Sequence, residues 1–194
     1  GVGDGADEAM RRIDALANRA FTHPMLRGEY PPDLLEDTAS VTDWSFVHDG
    51  DLATVNQPID VLGVNYYSTA TVRLWDGVSE KQQNDGHKGT AGGTAWPGSD
   101  QLVEFVEQPG PYTAMGWNIA PEGLEELLVS LSEQFPTQPL MVTENGAAFD
   151  DEVAADGSVP DPERTDYLTS LHRRSPRDRA GCRPAGLLLS LIHI

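Results

Sequence analysis

One stretch of this sequence narrows the fold more than any other: an amphipathic helix that runs into a buried strand ending on a glutamate. Pro121 and Glu122 open the helix, with proline tolerated in a first turn whose amides have no intrahelical partner. Leu124, Leu127, Leu128 and Leu131 recur at helical spacing, and Phe135-Pro136 ends the run. Leu140 to Thr143 then reads as a short buried strand, closed by an Asn145-Gly146 turn. Helix followed within a few residues by buried strand is the rhythm of a parallel sheet. A parallel α/β barrel draws its chemistry from the carboxyl ends of its strands, which is where Glu144 stands. Glu144 is thus a candidate nucleophile or acid/base; the plainer alternative is a solvated residue flanking an Asn-Gly hairpin.

Other segments bear on that choice. Residues 60–68, Asp-Val-Leu-Gly-Val-Asn-Tyr-Tyr-Ser, end an expected strand from Ile59 to Tyr66 in a cluster of hydrogen-bonding side chains. Residues 115–124, Met-Gly-Trp-Asn-Ile-Ala-Pro-Glu-Gly-Leu, form a loop that feeds the helix. Upstream, Ala9, Met10, Ile13, Leu16, Ala17 and Ala20 predict a helix over Ala6 to Ala20. His23-Pro24, Gly28 and Tyr30-Pro31-Pro32 predict a surface loop from Thr22, ending in a short helix near Leu35. Asp49-Gly50-Asp51 reads as a turn, Thr71 to Leu74 as extended, and Asp76 to Ser99 as a long polar loop, either one that shapes substrate access or a solvated loop with no contact to ligand. Arg164, Tyr167 and Leu168 open a further helix.

In this order and spacing the segments resemble the second half of a glycoside hydrolase family 1 enzyme, the β-glucosidase family. The likeness is densest from about Ala6 to Leu168. It implies an α/β fold, an incomplete TIM (β/α)8 barrel over residues 1–171, since a whole barrel needs about 250 residues and this chain has 194. Residues 172–194 depart from the pattern. Of 13 basic residues, five (Arg173, Arg174, Arg177, Arg179 and Arg183) fall in this stretch with the lone Cys182, and it reads as an out-of-frame or cloning-derived tail.

The resemblance also implies an activity: a retaining β-glucosidase that hydrolyses terminal β-D-glucosyl residues through a covalent glycosyl-enzyme. It assigns Glu144 as the nucleophile and Tyr67 as the residue that orients it, because a phenol donating to a carboxylate keeps it ionised and aimed. It places Asn65 beside the sugar pocket, on the face of Tyr67 since residues two apart in a strand share a face, and Trp117 on the aglycone side. The plainer readings are a strand end with packed tyrosine rings, and a core tryptophan. Trp44, Trp75 and Trp96 are read as packing or loop residues. Retention needs a second carboxyl about 5 Å from the first, which the family carries in an Asn-Glu-Pro motif; no such tripeptide occurs here. The chain alone is therefore expected to be inactive or nearly so. The alternatives are a 6-phospho-β-glycosidase or another β-glycosidase of the family, or a non-catalytic carbohydrate-binding remnant.

Composition agrees with a small-molecule β-glucoside or oligosaccharide as partner. A net charge of −18 argues against nucleic acid and anionic membrane surfaces. One cysteine allows no internal disulfide, and five scattered histidines show no zinc spacing, so no metal or cofactor is expected. With no signal-like start and no apolar run long enough to span a bilayer, the expected location is cytoplasmic.

Overall fold

Where the helices and strands begin follows from the sequence's apolar periods and its turn residues. The computed structural model describes residues 1–81 and 96–174, with the backbone of 184–187. They fall into two units, one of Gly1–Pro58 with 70–81 and 96–107, the other of Ile59–Thr69 with 108–174 and 184–187.

In the first unit, α1 (Ala6–Asp14) carries Asp7 and Glu8 in its first turn and Arg11 and Arg12 in its last, the polarity that suits the helix dipole. Its buried Ala9 and Ile13, four apart, pack on Val72, Val103 and Phe105, with Trp96 and Leu74 at the margin. Val72 and Leu74 belong to β2 (Thr71–Leu74), which pairs antiparallel with β3 (Val103–Val106). The extended reading of 71–74 thus holds, whereas β3 is a strand that the sequence reading does not contain. Val103, Glu104 and Phe105 are all buried, so β3 shows no polar alternation. Glu104, 1% exposed, accepts from Arg73 Nε across the ladder at 2.5 Å.

The helical run does not stop at Ala20. A π turn, Ala15–Arg19, leads into α2 (Ala20–Arg27), which contains His23 and Pro24. This corrects the expected loop from Thr22. Pro24 lies inside α2, five residues beyond the end of the π turn, so the helix carries a residue without an amide just behind a locally widened turn. The true stop is Gly28, at φ 72°, whose amide donates to the His23 and Pro24 carbonyls at 3.1 and 3.2 Å. Helix α3 (Pro32–Asp37) follows, and its Asp33 accepts from both Arg11 and Arg19. Trp44 packs 4.8 Å from the Tyr30 ring and donates its indole N–H to Thr38. After Gly50, a short α4 (Asp51–Val55) stands where only a turn was expected. Of the expected 76–99 loop, 82–95 lie outside the described residues.

In the second unit, β1 (Leu62–Asn65) lies parallel to β4 (Leu140–Glu144), with Leu62 opposite Leu140. Helix α5 (Pro121–Gln134) precedes β4 and buries Leu124, Leu128 and Leu131, the spacing read from sequence. On its other edge β4 pairs, again parallel, with β5 (Pro184–Leu187), giving the order β1-β4-β5. Pro184–Leu187 lies inside the stretch read as an out-of-frame tail, and α6 (Pro162–Arg174) runs on past Leu171. No closed barrel exists among the described residues: the sheet is three strands wide.

Two glycines permit the close packing here. A Cβ on Gly123 would strike Thr69 and lie 2.5 Å from the Tyr66 hydroxyl, and one on Gly63 would lie 3.0 Å from Thr143.

Candidate active site

Along β1 the side chains alternate, with Leu62, Val64 and Tyr66 buried and Gly63 and Asn65 exposed. Val142 of β4 is opposite Val64 on the buried face, so strict alternation would send Glu144 to that face too. It does not go there. The register slips at this point: Asn65 is opposite Glu144, leaving Thr143 as an extra residue in β4. Such a bulge re-aims the side chains beyond it, and Glu144 emerges on the face of Asn65 and Tyr67. Thr143 Oγ1 donates to Asn65 Oδ1 at 2.9 Å, which fixes Asn65 at the lip of the bulge.

Four of the residues singled out from the sequence can now be placed. The Tyr67 hydroxyl donates to Glu144 Oε2 at 2.9 Å. Both residues are half-buried. Burial, and the Glu144 carboxylate to which it donates, push the Tyr67 phenol up to about 12. The Trp117 ring lies 5.4 Å from that of Tyr67 in an edge-on arrangement, so the two make a corner of aromatic wall beside the carboxylate. Asn65 lies opposite Glu144 in the ladder and accepts from Thr143.

Trp117 is held by its loop. Gly116, at φ 77°, makes the turn; the Trp117 amide donates to Thr113 Oγ1 at 3.3 Å, and Thr113 donates its amide to the Trp117 carbonyl at 2.8 Å. The adjoining Asn118 is buried and clamps Thr69: its Nδ2 donates to Thr69 Oγ1 at 2.8 Å, and its Oδ1 accepts the Thr69 amide at 3.2 Å. Thr69 Oγ1 in turn donates to Gln108 at 2.8 Å. This network ties the segment after Tyr67 to the loop that carries Trp117.

The sequence marks Asn145 as a turn residue. The strand does end just before it, at Glu144, and Asn145 is also only 2% exposed: its Nδ2 donates to the Tyr66 carbonyl at 2.6 Å and to the Tyr167 hydroxyl at 3.0 Å. Its Oδ1 has no hydrogen-bond partner, and leaving a buried acceptor unpaired costs about 1–3 kcal/mol. Nothing local in the Asn-Gly pair signals this role, because Tyr167 lies 22 residues downstream on α6. Beyond it, Arg164 Nε donates to the Ala147 carbonyl at 3.1 Å and its guanidinium lies 5.9 Å from the Phe149 ring, holding the segment after the carboxylate.

A sequence model of glycosyl hydrolase family 1 matches residues 4–174. The chain belongs to that family. Its family 1 relatives include a bifunctional beta-D-glucosidase/beta-D-fucosidase of Bifidobacterium breve, 47% identical over 84% of this chain and 35% of the relative. A 6-phospho-beta-galactosidase of Clostridium acetobutylicum is 31% identical over 79% of this chain and 33% of the relative. Among solved structures, a psychrophilic beta-glucosidase of Micrococcus antarcticus superposes with a TM-score of 0.82 at 38% identity, over 97% of this chain and 41% of that one. The family 1 beta-glucosidase of Thermotoga maritima in complex with isofagomine lactam gives 0.74 at 29% identity, over 97% and 38%. The chain thus spans about a third of the length of the curated relatives it matches.

A concavity of about 550 Å³ in the described part of this family 1 chain is lined by Tyr112, Phe149, Asp150, Glu152 and Glu163 among others, and not by Glu144. Among the described residues no group of three or more His, Cys, Asp or Glu could hold a metal ion. No described helix is long and apolar enough to cross a membrane.

Proposed function

We propose that the natural gene product carrying this segment is a retaining β-glycosidase acting on β-glucosides, with Glu144 as its nucleophile. The observation that carries the reading is the half-buried Glu144 carboxylate at the end of a parallel strand, turned by the bulge at Thr143 onto the face where the Tyr67 hydroxyl donates to it at 2.9 Å. A carboxylate so held can attack in line without first shedding a disordered partner. An oxygen of Glu144 bonds to the anomeric carbon as that carbon's bond to the leaving oxygen breaks. The leaving oxygen takes a proton from a second carboxyl about 5 Å away, and water then releases the sugar with that group acting as base. We place that second carboxyl outside the described residues, in the Asn-Glu-Pro segment that the family carries and this sequence lacks. The 194-residue chain by itself is accordingly a poor catalyst in this reading, and residues 1–171 stand as part of a (β/α)8 barrel.

Trp117, at the corner with Tyr67, offers a flat apolar surface for the aglycone, and Asn65 offers an amide to a sugar hydroxyl. Glucosides rank ahead of phosphorylated sugars because the relative named for glucoside and fucoside is 47% identical, against 31% for the one named for a phosphogalactoside.

The test is covalent trapping of the gene product with an activated 2-deoxy-2-fluoro-β-glucoside, whose fluorine slows release of the sugar. Peptide mapping is expected to find the sugar on Glu144. Glu144→Gln is expected to take no label and to lose turnover by about three orders of magnitude or more. A label on another carboxylate, or unchanged turnover in Glu144→Gln, would reject the assignment.

A further inference from the structure

We propose that Asn145 is a positioning residue for the nucleophile, acting through the Tyr66 carbonyl on one side and the α6 residue Tyr167 on the other; this rests on the reading of Glu144 above. Tyr66 and Tyr67 are consecutive, and so are Glu144 and Asn145. Three hydrogen bonds join the two pairs: the Tyr66 amide to the Glu144 carbonyl at 3.0 Å, Asn145 Nδ2 to the Tyr66 carbonyl at 2.6 Å, and the Tyr67 hydroxyl to Glu144 Oε2 at 2.9 Å. The first two belong to the frame and the third to the chemistry. The ladder does not deliver the second, because β4 ends at Glu144, one rung short of the Tyr66 carbonyl. Asn145 replaces the lost rung with a side chain.

The geometry shows why an asparagine is suited to this place. Its amide has two N–H donors, and both are used, on a backbone carbonyl of one strand end and on the phenol oxygen of a buried helix residue. Tyr167 is itself 4% exposed, so it presents a fixed acceptor. The amide oxygen is left without a donor, although it is buried. Asn145 therefore locks the carboxylate-bearing backbone to the backbone that carries Tyr67, and anchors both to α6.

The test compares Asn145→Leu, which keeps the volume and removes both donors, with Tyr167→Phe, which removes only the distal anchor. In the natural gene product Asn145→Leu is expected to lower kcat about 100-fold with KM within about two-fold of wild type, the cost of a nucleophile displaced by about an ångström. Tyr167→Phe is expected to lower kcat by a smaller factor, and the double variant to be no worse than Asn145→Leu, because the two residues act in one chain of contacts. Wild-type kcat in Asn145→Leu overturns the proposal; should that variant not fold, unchanged kcat in Tyr167→Phe overturns it. A second readout needs no turnover. Phenol titration of Tyr67, isolated by difference against Tyr67→Phe, is expected to fall from about 12 towards the ordinary 10 in Asn145→Leu. If wild type neither turns over nor labels, the nucleophile reading has failed, and this titration still decides the positioning: a fall supports it and no change overturns it.

Discussion

At the scale of single residues, the hydroxyl of Tyr67 is the smallest part of the site whose removal should be felt. Tyr67→Phe keeps the ring against Trp117 and deletes one hydrogen bond to a carboxylate. Hydrogen bonds to charged groups contribute about 1.5–3 kcal/mol, so kcat/KM of the gene product is expected to fall about 10- to 150-fold. The same residue sets an alkaline limit. Its phenol titrates at about 12 in the folded chain against 10 for a free phenol, so the folded state holds the proton longer than the unfolded state. That contribution to stability is complete below pH 10 and lost as pH rises through 12. Melting temperatures taken across this window should fall less steeply for Tyr67→Phe than for wild type. Buried Tyr66 and Tyr167, also shifted upward, add to the fall in both. The strand-end position of Glu144 was legible in sequence, and the family resemblance pointed to Tyr67. The buried amide of Asn145 was not, because Asn-Gly carries a strong local turn signal and its partner Tyr167 is remote in sequence.

At the scale of elements, the packing of α5 on the end of β1 turns on Gly123. Glycine in a helix is ordinarily a loss of about 1 kcal/mol relative to alanine, so propensity alone says that Gly123→Ala should stabilise. The structure gives the opposite sign: the new methyl would strike Thr69 and lie 2.5 Å from the Tyr66 hydroxyl, which is held on the Ala120 carbonyl. Overpacking of this kind costs about 1–3 kcal/mol, and a denaturant midpoint lowered at unchanged slope is the expected result. The helix itself was plain from its leucines, as was the strand after it, since both periods are set by residues that face one core. Three features were not plain, each for a separate reason. The bulge at Thr143 depends on the register of β1 against β4, which no single strand encodes. Strand β3 buries a glutamate because Arg73 on β2 meets it, erasing the polar alternation that marks a strand. Helix α2 passes through Pro24 behind a π turn, while the sequence shows only a helix breaker.

At the scale of the whole molecule, the proposed reaction needs two carboxyl groups, and the 194 residues supply a candidate for one of them. Glu144 accepts from the Tyr67 phenol, and the sequence contains no Asn-Glu-Pro, the motif proposed above to supply the proton that a leaving alcohol needs. Proton supply matters only for poor leaving groups. A dinitrophenolate departs unaided, so 2,4-dinitrophenyl β-glucoside should still glycosylate Glu144 in this chain, while an alkyl glucoside should not react. Release of the sugar then stalls, because water must be deprotonated to attack and the base is the same missing carboxyl. Azide attacks without a base. The expected record is a burst of dinitrophenolate close to one equivalent of chain followed by slow turnover, and a steady rate that climbs with added azide as the β-glucosyl azide forms. Glu144→Gln should show neither the burst nor the azide effect. A steady rate insensitive to azide, or a burst that survives Glu144→Gln, would mean that the chain carries its own acid/base or uses another nucleophile, and either result would remove the division of labour argued from the strand end.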